Sequence, residues 1–178
     1  MEQVKNIGGI GSILLLTAFI PSVGQVLSFT GFVMVIIAVY KLSGLIGKKE
    51  IFNNYLIGII LNIAIFTIVI FVIGAAFLFS LRAGLAGLGI GIILALLLAW
   101  IILIVSAHFI NKSFEKISQA TGVTDFKTAG KLYFIGSILH VIIIGVFISL
   151  IAAIIQIVAF FSLPSALPGK IKESGTVS

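Results

Sequence analysis

Four stretches of this chain contain no Asp, Glu, Lys or Arg: residues 6–40, 51–81, 83–111 and 132–169, holding 35, 31, 29 and 38 residues. A helix needs about 20 apolar residues, at 1.5 Å each, to cross roughly 30 Å of hydrocarbon. Each stretch is long enough to span a bilayer, and together they make up most of the 178 residues. Composition points to the same solvent. Hydrophobic residues make up 61% of the chain and charged residues 9%, against about 45–50% and 25% in a soluble domain. That leaves too little polar surface to coat a water-soluble globule, so a soluble enzyme, a nucleic-acid module and a disordered chain are excluded.

The two middle stretches each suit one long helix, tilted if need be. The two outer ones are too long for that, since 35 helical residues would run to about 52 Å. The first contains its own turn, Pro21-Ser22-Val23-Gly24, where proline removes a backbone donor and glycine supplies freedom. The last has only Gly145 near its middle. Splitting both predicts helices near 6–20, 25–46, 55–80, 84–109, 128–144 and 147–163. Such an arrangement puts ten lysines on one side and Arg82 alone on the other. Reading the outer stretches as single spans gives seven against four. The positive-inside rule favours the first arrangement. The expected fold is thus an all-α polytopic membrane bundle in the cell membrane, with six transmembrane helices and both termini cytoplasmic. Four long spans with short re-entrant outer segments are the structural alternative. Residues 1–163 form one membrane domain and 164–178 a flexible cytoplasmic tail, with Pro164, Pro168 and Gly169 at its start.

The net charge of +6 comes from few basic residues at segment ends, with no basic stripe interleaved with aromatics. Nucleic acid is not an expected partner; the lipid bilayer is. The N-terminus has only Lys5, offset by Glu2, and no A-x-A site after its apolar run, so a cleaved signal peptide is not expected. Asn111-Lys112-Ser113 matches a glycosylation acceptor, but the topology places it in the cytoplasm, where it stays bare. The chain has no cysteine, hence no disulfide, thiolate metal ligand or thiol nucleophile.

Ile10-Gly11-Ser12-Ile13-Leu14 recurs as Ile135-Gly136-Ser137-Ile138-Leu139, and each copy opens an outer stretch. A duplication would relate the two outer hairpins by an axis along the membrane normal. The order of several short motifs carries a family resemblance. They are Gly8-Gly9-Ile10-Gly11-Ser12 with Ile20-Pro21 and Gly24, then Ile51-Phe52-Asn53-Asn54-Tyr55. Thr121-Gly122 to Phe126 with Ala129-Gly130 follow, and Ala159-Phe160-Phe161-Ser162-Leu163 closes the series. The chain resembles the archaeal integral membrane proteins catalogued as domain of unknown function 996, over nearly its whole length up to Pro164. The resemblance implies an archaeal multi-pass membrane protein. It brings no activity, so no catalytic residue is carried over.

On the fourth predicted helix, Ala83, Gly87, Gly91, Ala95 and Ala99 recur every four residues. Such a stripe lines one face and lets another backbone approach closely, within the chain or in an oligomer. No ionisable Asp, Glu, Lys or Arg lies deep in any predicted span, whereas ion-coupled transporters usually keep one near the midplane. The deep polar side chains are Asn62, His140 and Gln156, all roughly 12–15 Å from the cytoplasmic charges at 1.5 Å per residue. They form either a hydrogen-bonded layer that glues helices together or a polar waist in a solute path.

Ser137, one turn before His140, invites a nucleophile–base reading, but nothing supplies the third, orienting group, and membrane serines bond back to their own helix. His108 and His140 differ by roughly 7 Å in depth, which argues against a bis-histidine haem. Two histidines with no nearby carboxylate make a poor metal site. No catalytic residue, cofactor or metal is therefore expected. In the segment after the fourth span, Ile110, Phe114 and Ile117 share one face. This predicts an interfacial cytoplasmic helix near 110–121, ended by Gly122, with Thr124 or Asp125 capping the next helix.

The sequence thus points to a non-enzymatic accessory or scaffold subunit of a membrane assembly, partnered by other membrane subunits or by itself. The alternative is a small-solute or lipid transporter or channel with its polar layer at Asn62, His140 and Gln156.

Overall fold

The computed structural model describes residues 1–83 and 85–167. Among these, six α-helices follow one another and no strand occurs: α1 Glu2–Leu16, α2 Val23–Ile46, α3 Lys49–Ala83, α4 Leu85–Thr121, α5 Thr124–Ile138 and α6 Ile144–Phe161. Short 3₁₀ turns at Thr17–Phe19 and Leu139–Val141 finish α1 and α5. Four helices are long and apolar enough to cross a membrane: α2, residues Lys49–Ala75 of α3, Gly91–Thr121 of α4, and α6. The remaining two, α1 and α5, have 15 residues each, about 22 Å. Most of the expected tail, residues 168–178, lies outside the described residues.

Chain order sets the packing. Each helix lies against the two that flank it in sequence, and α1 also packs on α6, so the six close into a ring. Both turns at the lysine-bearing end are short. Gly47 and Gly122 adopt φ of 79° and 78°, the left-handed caps that let a helix stop at once. The Gly122 N–H reaches Ser118 O at 2.9 Å, as its place in the sequence predicted. Neither Thr124 nor Asp125 caps α5. Val123 holds the cap position without a side-chain bond, and the Thr121 hydroxyl accepts its N–H at 3.3 Å.

The arms are unequal. At 35 and 37 residues, α3 and α4 run about 52 and 55 Å, whereas the 24 and 18 residues of α2 and α6 run about 36 and 27 Å. Since all four have one end at the lysine-bearing side, the central hairpin reaches well past the other four helices.

Three expectations need correction. There is no separate interfacial helix at 110–121, because α4 continues unbroken to Thr121. No Gly or Pro interrupts that stretch, and Phe114 and Ile117 are fully buried in the bundle rather than laid on lipid. The last stretch does not break at Gly145, which is the second residue of α6. The break falls at Ile142, extended at φ −108° and ψ 135°. Gly145 serves a close approach instead: a methyl there would overlap backbone atoms of Leu139, His140 and Gly136. Ala83 closes α3 rather than opening α4, so it does not belong to the small-residue stripe.

The two outer hairpins turn by the same device: a helix, a 3₁₀ turn, one extended isoleucine, then the returning helix. Ile20 and Ile142 are those extended residues, 122 positions apart, while the repeated five-residue motif is offset by 125. The motif therefore sits about one turn closer to the bend in the second hairpin. After Ile20 the first hairpin adds a γ-turn, in which Val23 N–H reaches Pro21 O at 2.9 Å and Ser22 takes φ 67° and ψ −70°. This is a strained conformation for a residue with a Cβ.

Buried aromatics fill the ring at the lysine-bearing end. Phe126 meets Phe160 edge-on with centroids 5.1 Å apart and Phe114 at 5.6 Å, and Tyr55 stacks on Phe114 at 6.1 Å. Outside them, ion pairs join Lys116 to Glu50 and Lys127 to Glu115. The exterior inverts the pattern of a soluble protein. Phe71 and Ile143 are each 76% exposed, whereas Ser106 and Ser113 are 0% exposed. Such a surface is stable only against an apolar medium.

Candidate functional site

A cavity of about 250 Å³ lies inside the ring, deeper than the aromatic cluster, and all six helices contribute to its wall. Asn62 on α3, His140 in the turn after α5 and Gln156 on α6 all line it. The structure therefore brings the three deep polar residues to one space. It does not bond them to one another; each is held by other partners.

Gln156 is 4% exposed and joins three helices. Its Nε2 donates to Ser12 Oγ on α1 at 2.9 Å, and its Oε1 accepts from Tyr133 OH on α5 at 2.9 Å. The Asn62 amide donates to Ser106 Oγ on α4 and to Gly58 O at 3.1 Å, while Ser106 Oγ donates to the same carbonyl at 2.8 Å. That knot ties α3 to α4. It depends on Gly58, where a Cβ would sit 2.7 Å from Ile110 and 3.0 Å from Ser106 O. His140 Nδ1 lies 2.7 Å from Gly136 O. A carbonyl only accepts, so Nδ1 carries a proton, and in the tautomer with that single proton Nε2 is an acceptor.

Several polar groups in this wall have no hydrogen-bond partner among the described residues: the Tyr55 and Ser149 hydroxyls, Asn62 Oδ1 and His140 Nε2. Tyr55 is 6% exposed, so its free hydroxyl can be satisfied only from within the cavity. Among the described residues, no Asp, Glu, Lys or Arg lines the space. Its chemistry is neutral and rich in acceptors and hydroxyls.

A second cavity, about 560 Å³, is a groove open to the outside between the rising α3–α4 hairpin and the bend after α5, with Leu97 and Val141 in its wall 52% and 67% exposed. Apart from His140 and Trp100 its wall is aliphatic, and it shares His140 and Leu103 with the first. Trp100 packs rather than anchors at an interface. Its Nε1 donates to Ser137 O at 3.1 Å and Ile138 O at 3.2 Å, satisfying the carbonyls freed where α5 tightens to a 3₁₀ turn.

The remaining sequence candidates fall out as follows. Ser137 Oγ donates to Phe134 O at 2.7 Å, back into its own helix, and makes no bond to His140. His108 is exposed and sits edge-on to Phe134 at 5.8 Å. Among the described residues no three of His, Asp and Glu converge as metal ligands would. In the stripe of small residues, Ala95 is buried, Gly91 and Ala99 are half-buried, and the side-chain surroundings of Ala83 and Gly87 lie outside the described residues. In the glycosylation acceptor, Ser113 Oγ is buried and donates to Ile51 O at 2.8 Å, while a Cβ on Gly130 would sit 2.8 Å from Asn111 Oδ1. The folded bundle has no room for a sugar there.

Sequence reasoning missed Tyr55, Ser106, Tyr133 and Ser149. A signal for two of them was present. Tyr55, Ile59 and Asn62 on α3 have the same i, i+4, i+7 spacing as Tyr133 and Ser137 on α5 and His140 in the turn that follows it, the spacing of one helical face. Nothing local marks Ser106 or Ser149, since serines in apolar helices commonly bond to their own backbone.

Comparison with known proteins agrees with the resemblance. The family model described as "Protein of unknown function (DUF996)" matches residues 27–154. The uncharacterised protein MJ1644 of Methanocaldococcus jannaschii is 37% identical over 171 residues, covering 94% of this chain and 95% of that protein. No solved structure matches. With a family match from within α2 to within α6 and a relative aligned almost end to end, the chain belongs to the DUF996 family.

Proposed function

We propose that this chain is a multi-pass membrane protein, with both termini in the cytoplasm, that carries a small uncharged hydrogen-bonding solute in its central cavity without chemically changing it. The observation behind this reading is the cavity itself. All six helices wall it, and it holds neutral hydrogen-bonding groups that the protein leaves unpaired. A purely structural polar layer would use up its donors and acceptors, because an unmet polar group in an apolar medium costs several kcal/mol, of the order of 2–7. The packed aromatics on the lysine-bearing side favour a carrier that must rearrange over an open channel. The non-enzymatic part of the reading is supported by Ser137 and His140 each bonding to its own backbone instead of to the other.

The test is solute flux. Proteoliposomes of the full chain should pass glycerol faster than protein-free vesicles in stopped-flow light scattering, and an Asn62→Leu/Gln156→Leu double variant should lose the increment. Equal flux in wild type and double variant would overturn the reading.

A role as accessory or scaffold subunit has one observation in its favour: the central hairpin rises past the bundle with Ile70, Phe71, Ile93 and Leu94 exposed on its two arms. A neighbouring membrane subunit or a second copy of the chain would cover such arms. Isolation from native membranes in mild detergent as a lone monomer would defeat that role.

A further inference from the structure

We infer that the ligand is an amphiphilic alcohol, whose hydroxyl head occupies the polar cavity and whose alkyl chain runs past His140 into the adjoining apolar cavity. The inference rests on the solute-carrier reading and names the class of molecule. The two spaces are neighbours with opposite chemistry, and they share His140 and Leu103 in their walls. The larger, about 560 Å³, presents leucine, isoleucine, valine and alanine side chains with the face of one indole. Of the ring nitrogens on its two polar side chains, only one is free. Trp100 Nε1 is bonded to the Ser137 and Ile138 carbonyls, and His140 has only Nε2 left to offer. Such a wall takes a hydrocarbon chain and offers no partner to further hydroxyls.

The smaller space supplies what a hydroxyl head needs. His140 Nε2 and Asn62 Oδ1 accept, and the buried Tyr55 hydroxyl donates or accepts. With no charged side chain in the wall, a carboxylate, phosphate or ammonium head would enter unpaired, at a large desolvation cost. The neutral head is thus selected against charged lipids. The chain alone provides no selectivity, because a lipid tail is as apolar a medium as the cavity. The head must therefore decide binding. The 3₁₀ turn after α5 carries His140 and Val141 into the wall, and it is beside this turn that the amphiphile would enter from the membrane.

Trp100 is the sole tryptophan and lines the apolar cavity, so it reports a heavy atom on the chain directly. The experiment uses the full chain in nanodiscs and titrates 10-bromodecan-1-ol or 1-bromodecane at equal mole fractions. The bromoalcohol should quench Trp100 saturably, with excess decan-1-ol reversing it, while the bromoalkane quenches weakly and without saturation. Tyr55→Phe, which removes one hydroxyl and little volume, should weaken saturable quenching about fivefold, the value of one neutral hydrogen bond. Ala99→Phe, at a half-buried position of the apolar wall, should abolish it while circular dichroism stays helical.

Equal quenching by alcohol and alkane overturns the inference, and so does saturable quenching that ignores both substitutions. If glycerol flux is present and lost in the double variant, yet bromodecanol does not saturate, the carrier reading stands and the amphiphile falls. If bromodecanol saturates and glycerol flux is absent, the site is for an amphiphile and the solute-flux reading falls.

Discussion

Gln156 offers the sharpest test of the bundle, because one side chain holds three helices. Replacing it with leucine keeps an apolar body of similar size and removes both the donor to Ser12 and the acceptor from Tyr133, each at 2.9 Å. Interhelical hydrogen bonds inside membranes are worth about 0.6–2 kcal/mol each, well below their value in hydrocarbon, because the unfolded chain also finds partners. Two lost bonds put Gln156→Leu at about 1–4 kcal/mol of destabilisation. The lower half of that range is expected. Ser12 sits mid-helix and can turn its hydroxyl to its own backbone, and the Tyr133 hydroxyl borders the cavity. A double-mutant cycle with Ser12→Ala isolates one bond, with an expected coupling of about 0.6–1.7 kcal/mol. The assay is equilibrium unfolding in mixed micelles by dodecyl sulfate, followed through Trp100 fluorescence. A Gln156→Leu variant as stable as wild type, with a coupling near zero, would refute the claim that this residue clamps α1, α5 and α6.

The other predictions use the same measurement except where noted. Ser22→Gly should raise stability by about 1 kcal/mol, since glycine adopts φ 67° without the Cβ penalty. Gly145→Ala should cost about 3 kcal/mol or more, because its methyl meets only backbone atoms of the preceding turn, which cannot swing aside. Gly44→Ala, on α2 with nothing within 4 Å of the added atom, should instead be neutral or stabilising by up to about 1 kcal/mol. Lys116→Met should cost less than about 1 kcal/mol, because Glu50, its ion-pair partner, is 57% exposed. For topology, the chain has no native cysteine, so Lys48→Cys and Ser22→Cys are clean single labels. In intact cells an impermeant maleimide should reach the second and not the first; the reverse pattern would invert the bundle.

Some of the site was legible before any coordinates. Asn62, His140 and Gln156 stand out because a polar side chain in an apolar run is costly, and their depth along the helices placed them at one level. The helix ends at Gly122 and Pro21 followed from backbone chemistry local to a few residues. Gly145 misled for the same reason that it matters. A glycine in an apolar stretch signals either a break or a close approach, and local sequence does not distinguish the two. The segment at 110–121 misled because an apolar face turned toward lipid and one turned toward protein have the same periodicity.

Charge-free runs of 29 to 38 residues by themselves determined that the chain is helical and built for an apolar medium, since only helices and closed barrels satisfy backbone without water and barrel strands are short and alternate. Lysine spacing set which ends lie together, because each crossing reverses the chain. Only the tertiary structure decided that α1 meets α6 and closes the ring. Only it decided that Ser12, 144 residues from Gln156 in sequence, becomes its partner, and that four polar groups around one cavity stay unpaired among the described residues. Those outcomes depend on the rotation of each helix about its own axis. In a uniformly apolar helix that rotation is settled by contacts with its neighbours rather than by its own residues.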